Sequence, residues 1–179
     1  MQNNILQYID INTFPKNSNL KVINLSNNKL SFNEEEESKL FLQDNSPLVN
    51  CGKLEKIDLS NNSITYIFGD WRILMPNLKV LNLSHNALQA IDFLADAFTH
   101  SIEIDVRHNK ISIVNLSGAE AWAKMQNPKQ GNDKRQKWLL DGNPLSCNCS
   151  SYDFLRYIER NIAPEVRYTP NEHPFFVCC

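Results

Sequence analysis

Several features that mark common protein classes are missing from this sequence of 179 residues. No apolar run approaches the roughly 18 residues that a membrane span needs. The first twenty residues have neither the basic segment nor the apolar segment of a signal peptide. The formal net charge of −2 excludes the basic surface that is typical of nucleic-acid binding. With 42% hydrophobic and 21% charged residues, the chain still has enough apolar side chains for a folded core.

Glycine is scarce, with five residues, and cysteine also occurs five times. Four of the five cysteines lie near the C-terminus, which favours a local disulfide framework over scattered free thiols. Disulfides belong to the secretory pathway, although the chain does not start with a signal peptide. We therefore expect the chain to be part of a larger protein.

An internal repeat dominates what is present. Residues 20–30, 54–64 and 78–88 read LKVINLSNNKL, LEKIDLSNNSI and LKVLNLSHNAL, and each fits L-x-x-L-x-L-x-x-N-x-L. A fourth copy, SIEIDVRHNKI at 101–111, departs at its first position, and a fifth, degenerate copy ends in WLLDGNPL. The pattern predicts a leucine-rich-repeat solenoid of the α/β repeat class, a segment of a right-handed horseshoe, because one repeat cannot bury its apolar side alone.

The asparagine of the repeat falls at positions 4, 28, 62, 86, 109 and 143, with spacings of 24, 34, 24, 23 and 34 residues. Each long spacing contains about ten extra residues, which we expect to loop out from the solenoid. The turn after each strand leaves backbone polar groups unpaired, and an asparagine amide both donates and accepts hydrogen bonds. We predict an asparagine ladder of Asn28, Asn62, Asn86, Asn109 and Asn143.

Strand alternation predicts which side chains are exposed. The leucines of the fourth and sixth positions point inwards, so the third, fifth and seventh positions face outwards on the concave side. These outward positions are Val22, Asn24 and Ser26; Lys56, Asp58 and Ser60; Val80, Asn82 and Ser84; and Glu103, Asp105 and Arg107. Binding hot spots favour arginine and aromatic residues. The candidate partner contacts are Arg107, Asp105 and Glu103, together with Lys134 and Arg135 of the last insertion.

Sequons for N-glycosylation occur at Asn24, Asn61, Asn82, Asn115 and Asn148. Asn24 and Asn82 share one column of the predicted concave face, where sugar would shield the surface. Partners would then contact an edge or the insertions. The alternative is that the NLS triplet arises from the repeat consensus alone. Asn148 lies between two cysteines that we expect to be bonded, so we predict modification at Asn24, Asn61, Asn82 and Asn115.

The C-terminal segment, residues 138–179, holds the last degenerate repeat and a predicted cap, after repeats in residues 1–137. A C-x-C pair precedes an apolar stripe at helical spacing, Leu155, Ile158 and Ile162. A helix pinned by disulfides would cover the open end of the solenoid core. The cap cysteines are Cys147, Cys149, Cys178 and Cys179, and we expect the first two to bond towards the C-terminus, one of them to Cys178.

The partner of the second cap bond stays open, because spacing alone does not determine pairing. A zinc site from Cys147, Cys149, His173 and Cys178 is a weaker interpretation, since structural zinc sites favour a longer spacing between paired cysteines. A redox pair is weaker still, because C-x-C is not C-x-x-C. Cys51, beside a leucine-rich strand, is predicted to be a buried free thiol.

The motif NPLSCNC followed by FLRYIERN resembles the cysteine-rich cap of extracellular leucine-rich-repeat receptors. Together with WLLDGNPLSCNC and IDVRHNKISIVNLSGAE, it is most similar to the ectodomains of arthropod Toll receptors. The resemblance implies a type I plasma-membrane receptor of innate immunity or development. It also implies a protein ligand, a cystine-knot cytokine of the Spätzle type, and receptor dimerisation. An adhesion or matrix module without signalling of its own is the alternative.

Catalysis is not expected. Ser84 and His85 are adjacent only through the repeat register, and His100, His108 and Asp105 lack the pattern of a triad. No cofactor, metal or nucleic acid is expected, and contact with a membrane would need segments outside this chain. Glu34 to Glu37 form an acidic run, whereas Lys124, Lys129, Lys134, Arg135 and Lys137 form a basic one. Both are expected to be solvated loops that could steer a partner.

Overall fold

The computed structural model describes residues 1–10, 12–16, 18–31, 48, 50–66, 75–91, 101–114 and 136–146. Five short strands form one parallel sheet in the order β1-β2-β3-β5-β7: β1 (Val22–Asn24), β2 (Lys56–Asp58), β3 (Val80–Asn82), β5 (Ile102–Asp105) and β7 (Gln136–Leu139). A second sheet pairs β4 (Ala90–Ile91) with β6 (Ile113–Val114), also in parallel. The larger sheet takes one strand from each repeat, as the pattern predicts.

The register of the large sheet follows the repeat rather than the spacing along the chain. Ile23 pairs with Ile57 and Ile57 with Leu81, although the first two are 34 residues apart and the second two only 24. Ile104 pairs with Trp138 across the second long spacing. The extra residues of both long repeats therefore leave the pairing of the strands undisturbed.

The core is a stack of equivalent apolar side chains. The sixth positions, Leu25, Leu59, Leu83 and Val106, are at most 2% exposed. The fourth, eleventh and, in the second and third copies, first positions add further fully or nearly fully buried side chains: Ile23, Ile57, Leu81 and Ile104; Leu30, Ile64, Leu88 and Ile111; Leu54 and Leu78. Burial of each such side chain contributes about 2 kcal/mol, so the stack is a main source of stability.

In the fourth copy, a shift in the start of the strand compensates for the leucine that is missing from the first position. Ser101 occupies the first position and is exposed, whereas Ile102 at the second position is only 2% exposed. In the third copy the second position is the exposed Lys79. The strand of this copy therefore starts one residue earlier, at Ile102, and its apolar residue still reaches the core.

The large hydrophobic side chains that are exposed, within the described ranges, all lie near the first strand: Met1, Ile5, Tyr8, Leu20 and Val22. On the side away from β2, the coil of β1 is bonded only to the short segment of residues 1–6, so its apolar positions are incompletely covered. Leu20 illustrates this, since it is 36% exposed where the equivalent Leu54 is fully buried.

The predicted cap cannot be located from the described ranges, because Cys147, Cys149, Cys178 and Cys179 lie outside them. Strand β7 runs across the expected boundary at residue 137, and Trp138 and Leu140 belong to the common core. The segments between the strands are also predicted to fill the convex half of the core, but no side chain of the residues expected there is described: Ile67, Trp71, Leu74, Ile91, Phe93 and Phe98. Among the described residues, no helix has the length and hydropathy needed to cross a membrane.

Candidate functional site

The asparagine ladder runs along the inner side of the turns that follow the strands. In Asn109, Nδ2 donates to the carbonyl oxygens of Val106 and Arg107 in its own turn and of Leu83 one coil earlier, at 2.9, 3.2 and 3.0 Å. Its Oδ1 accepts the backbone N–H of Leu88, also one coil earlier, at 3.0 Å. Each amide thus closes its own turn and connects it to the preceding coil.

The same geometry recurs at the other positions of the ladder. Nδ2 of each residue reaches carbonyls in its own turn and in the preceding segment, and Oδ1 accepts a backbone N–H there. The acceptor and donor groups one coil earlier are Met1 O and Leu6 N for Asn28, Leu25 O and Leu30 N for Asn62, Leu59 O and Ile64 N for Asn86, and Val106 O and Ile111 N for Asn143.

The residue before each ladder asparagine adopts a left-handed backbone. The φ angles are 54° at Asn27, 53° at Asn61, 55° at His85, 54° at His108 and 71° at Gly142. His85 and His108 stack with their ring centroids 4.4 Å apart. A Cβ on Gly142 would lie 2.5 Å from Nδ1 of His108. His108 therefore serves as a turn residue within a column of stacked turns.

The fifth positions of four repeats, Asn24, Asp58, Asn82 and Asp105, form what we call the concave column. In each, Oδ1 accepts the backbone N–H of the residue two positions later, at 2.9, 3.0, 3.1 and 3.1 Å. In the first three repeats a serine hydroxyl also donates to the same oxygen, at 2.7, 2.7 and 2.8 Å.

The prediction that the seventh positions are exposed is wrong for the three serines, Ser26, Ser60 and Ser84, which are 6%, 8% and 8% exposed. Each serine turns its hydroxyl back to the concave column instead of to solvent. Because the hydroxyl of Ser84 donates to Asn82, it is not held by His85 as a nucleophile would be by its base.

In the fourth repeat an ion pair replaces the serine contact. Nε and Nη2 of Arg107 donate to Oδ1 and Oδ2 of Asp105 at 3.0 and 2.7 Å. This bidentate contact raises the pKa of Arg107 above its ordinary value. The carboxylate is 11% exposed and the guanidinium side chain 43%. The prediction that Asp105 is exposed is therefore wrong, and Arg107 is the accessible one of these two candidate partner contacts.

Glu103 lies on the same strand and is also accessible. Its carboxylate accepts a hydrogen bond from Nζ of Lys137 on β7 at 3.0 Å, and the two side chains are 41% and 50% exposed. Strands β5 and β7 together thus present two ion pairs on the concave face. We call this group, Glu103, Asp105, Arg107 and Lys137, the charged patch.

The edge at which the strands begin has a separate cluster of charges. Glu55 lies between Lys21 and Lys79, with oxygen–nitrogen distances of 3.0 and 2.7 Å. The hydrogen bond from Lys79, followed by that from Lys21, lowers the pKa of Glu55. This cluster crosses the first three strands, so it connects neighbouring repeats at the surface.

The sequon asparagines occupy different surroundings. Asn24 and Asn82 are half-buried in the concave column, whereas Asn61 is exposed at a left-handed turn. Nδ2 of Asn24 donates to Oε1 of Gln2 at 2.7 Å. Asn115, Lys134 and Arg135 lie outside the described residues, as do Asn148, His100, His173 and both charged insertion runs apart from Lys137.

No group of three metal-ligating side chains occurs in the described part of the chain. Cys51 is a free and fully buried cysteine, as predicted. Its burial raises the pKa of the thiol, partly offset by a hydrogen bond with Ser18. The groups that the concave column and the charged patch present are instead polar and charged, which suits contact with a macromolecule.

Comparison with known families gives matches to two models of the leucine-rich repeat. The first matches residues 39–88 and 52–111, and the second matches residues 19–40. Together they span just over half of the chain, including the first four repeat copies.

Two curated relatives are each similar to nearly two thirds of this chain. Protein toll of Drosophila melanogaster is 28% identical over 118 residues, which cover 65% of this chain and 10% of that protein. Toll-like receptor 9 of Mus musculus is 28% identical over 113 residues, which cover 62% of this chain and 10% of the receptor. The matched region is therefore about a tenth of each relative.

Proposed function

Because the chain belongs to the leucine-rich-repeat family, we propose that it is a protein-binding segment from the extracellular part of a Toll-like receptor. The observation that carries the proposal is the continuous parallel sheet of five strands, whose concave face presents polar and charged side chains. Such a face is a preformed platform for a protein partner. The similarity to Protein toll and Toll-like receptor 9 supports the receptor assignment.

The charged patch is the part of this platform best suited to specific recognition. Its exposed ends carry both signs of charge, Glu103 on one side and Arg107 and Lys137 on the other. Partly exposed ion pairs direct orientation and association more than they add affinity. We propose a cystine-knot cytokine of the Spätzle type as the ligand, in keeping with the resemblance of the sequence to arthropod Toll receptors.

Two further proposals follow if the chain is extracellular, as proposed here. The cysteines Cys147, Cys149, Cys178 and Cys179 form a disulfide-stapled cap over the last repeat, with Cys51 free inside the core. The whole receptor is a type I plasma-membrane protein of innate immunity or development. A thiol count on the native, oxidatively produced chain tests the cap: we expect one free thiol, exposed only on denaturation, and four or more would contradict it.

Binding is tested by biolayer interferometry with the full chain, secreted from eukaryotic cells, and a recombinant Spätzle-type cytokine. Glu103→Lys should weaken binding about tenfold, because it reverses one charge of the patch and removes the contact with Lys137. Lys110→Glu is the matched control, since Lys110 is exposed just after a ladder asparagine and outside the concave column. It should change affinity by less than about twofold.

The result also separates the possible partners. If Glu103→Lys and Lys110→Glu weaken cytokine binding equally, the charged patch is not part of the binding surface. Self-association of the chain without cytokine binding, measured by light scattering, would instead favour a dimerisation role. The absence of both would favour an adhesion or matrix module and would overturn the proposal.

A further inference from the structure

The concave column holds its side chains in one orientation. Oδ1 of Asn82 accepts both the backbone N–H and the hydroxyl of Ser84, at 3.1 and 2.8 Å. An amide group is planar and carries its nitrogen opposite the oxygen. With the oxygen turned back to its own strand end, Nδ2 of Asn82 points away from it, and no hydrogen bond to this nitrogen is found among the described residues.

Asn82 is also the first residue of the sequon Asn82-Leu83-Ser84. We propose that Asn82 carries an N-linked glycan that stands on the middle of the concave face. In the transfer, Nδ2 bonds to the first carbon of the sugar and loses a proton, and the diphosphate of a lipid-linked oligosaccharide donor leaves. The inference rests on the proposed function in one respect, since it requires passage through the secretory pathway.

The neighbouring strands leave room for one glycan at this point. Asn82 pairs with Asp58 on one side and with Asp105 on the other, so the concave column alternates between amide and carboxylate. Adjacent strands are about 4.8 Å apart, and the nearest sequon of the column, at Asn24, is two strands away, or about 10 Å. A bulky glycan on Asn82 therefore has no glycosylated neighbour beside it.

The position determines what the glycan would do. Strand β3 is the central strand of the five, so a glycan on Asn82 divides the concave face. The surfaces left on either side are the charged patch on β5 and β7, and the edge cluster of Lys21, Glu55 and Lys79. A protein partner is thereby excluded from the centre and directed to the charged patch.

Site-specific mass spectrometry of the full chain secreted from insect cells tests the inference. Enzymatic removal of N-glycans in heavy-oxygen water converts each glycosylated asparagine to labelled aspartate. We expect the label on most of the Asn82 peptide, and we expect Asn82→Gln to remove one glycan from the intact mass. Asp105→Asn is the matched control: it places an amide in the same column but creates no sequon, because Arg107 follows at the second position.

An unlabelled Asn82 peptide beside labelled peptides from other sequons would overturn this inference and leave the extracellular proposal standing. A secreted chain without label at any sequon would contradict the inference and weaken that proposal as well. Label at position 105 of the Asp105→Asn control would show that labelling in this column does not require a sequon, which would remove the argument for a glycan on Asn82.

Discussion

The asparagine ladder and the concave column lie four residues apart in the repeats of this protein and differ in role. The ladder residue Asn86 and the concave residue Asn82 belong to the same repeat and have the same side chain. The amide of Asn86 bonds to carbonyls of two coils and to an N–H of the preceding one. The side-chain oxygen Oδ1 of Asn82 bonds only within its own repeat, to the backbone N–H and the hydroxyl of Ser84.

The two residues differ in role because their side chains point in different directions. The ladder side chain points into the turn, where the backbone groups are buried or partly buried and depend on the protein for their partners. The concave side chain points to solvent, where water can replace any lost partner. The same residue type therefore connects coils in one column and remains available for surface chemistry in the other.

The largest expected effect is a difference in the free energy of unfolding between variants of the ladder and of the concave column. Asn109→Ala should lower the free energy of unfolding by about 3 kcal/mol, because it leaves several backbone groups unsatisfied in a buried turn. Asn82→Ala should cost about 1 kcal/mol, since it removes the contacts with Ser84 and the proposed glycan but leaves the connection between coils intact. Urea unfolding of the secreted chain measures both values. Equal losses would mean that the ladder is not the main connection between coils.

A second effect concerns the turn residue beside the ladder. Gly142→Ala should cost about 1–3 kcal/mol, because its φ of 71° is unfavourable for alanine and the new Cβ meets the ring of His108. His85→Asn should cost less than about 1 kcal/mol, since asparagine holds the same backbone at Asn27 and Asn61 and only ring stacking is lost. Thermal unfolding distinguishes the two variants. If His108→Ala restores full stability to Gly142→Ala, the ring contact rather than φ is responsible.

The smallest effect lies at the exposed edge cluster. The folded protein lowers the pKa of Glu55, so the contribution of its ion pairs is present above the ordinary glutamate pKa and is lost as the pH falls below that value through the lowered pKa of the folded state. Glu55→Gln should therefore flatten the decline in unfolding midpoint between about pH 6 and about pH 3. High salt should reduce the difference between wild type and variant. A steeper decline in the variant would be the opposite of this expectation.

The repeat pattern was sufficient to predict much of the fold and part of the site. The core of the pattern, L-x-x-L-x-L-x-x-N, places Leu83 inwards and Asn86 in the turn, and both follow from strand alternation and the needs of a buried backbone. The pattern could not show that Ser84 turns its hydroxyl to Asn82, because this contact depends on the backbone bend at the end of the strand. It also could not show that Asp105 is buried by Arg107.

The sequence by itself determined the solenoid, since apolar residues at fixed spacing leave no other way for each coil to bury its inner side. It also determined which asparagines belong to the two columns. Only the tertiary structure decided local departures from the repeat, such as the start of β5 one residue early at Ile102, where an apolar residue replaces the missing leucine in the core. It alone decided the stacking of His85 on His108 and the exposure of the charged patch. These features depend on distances between residues of different coils, which the order of residues in one coil does not contain.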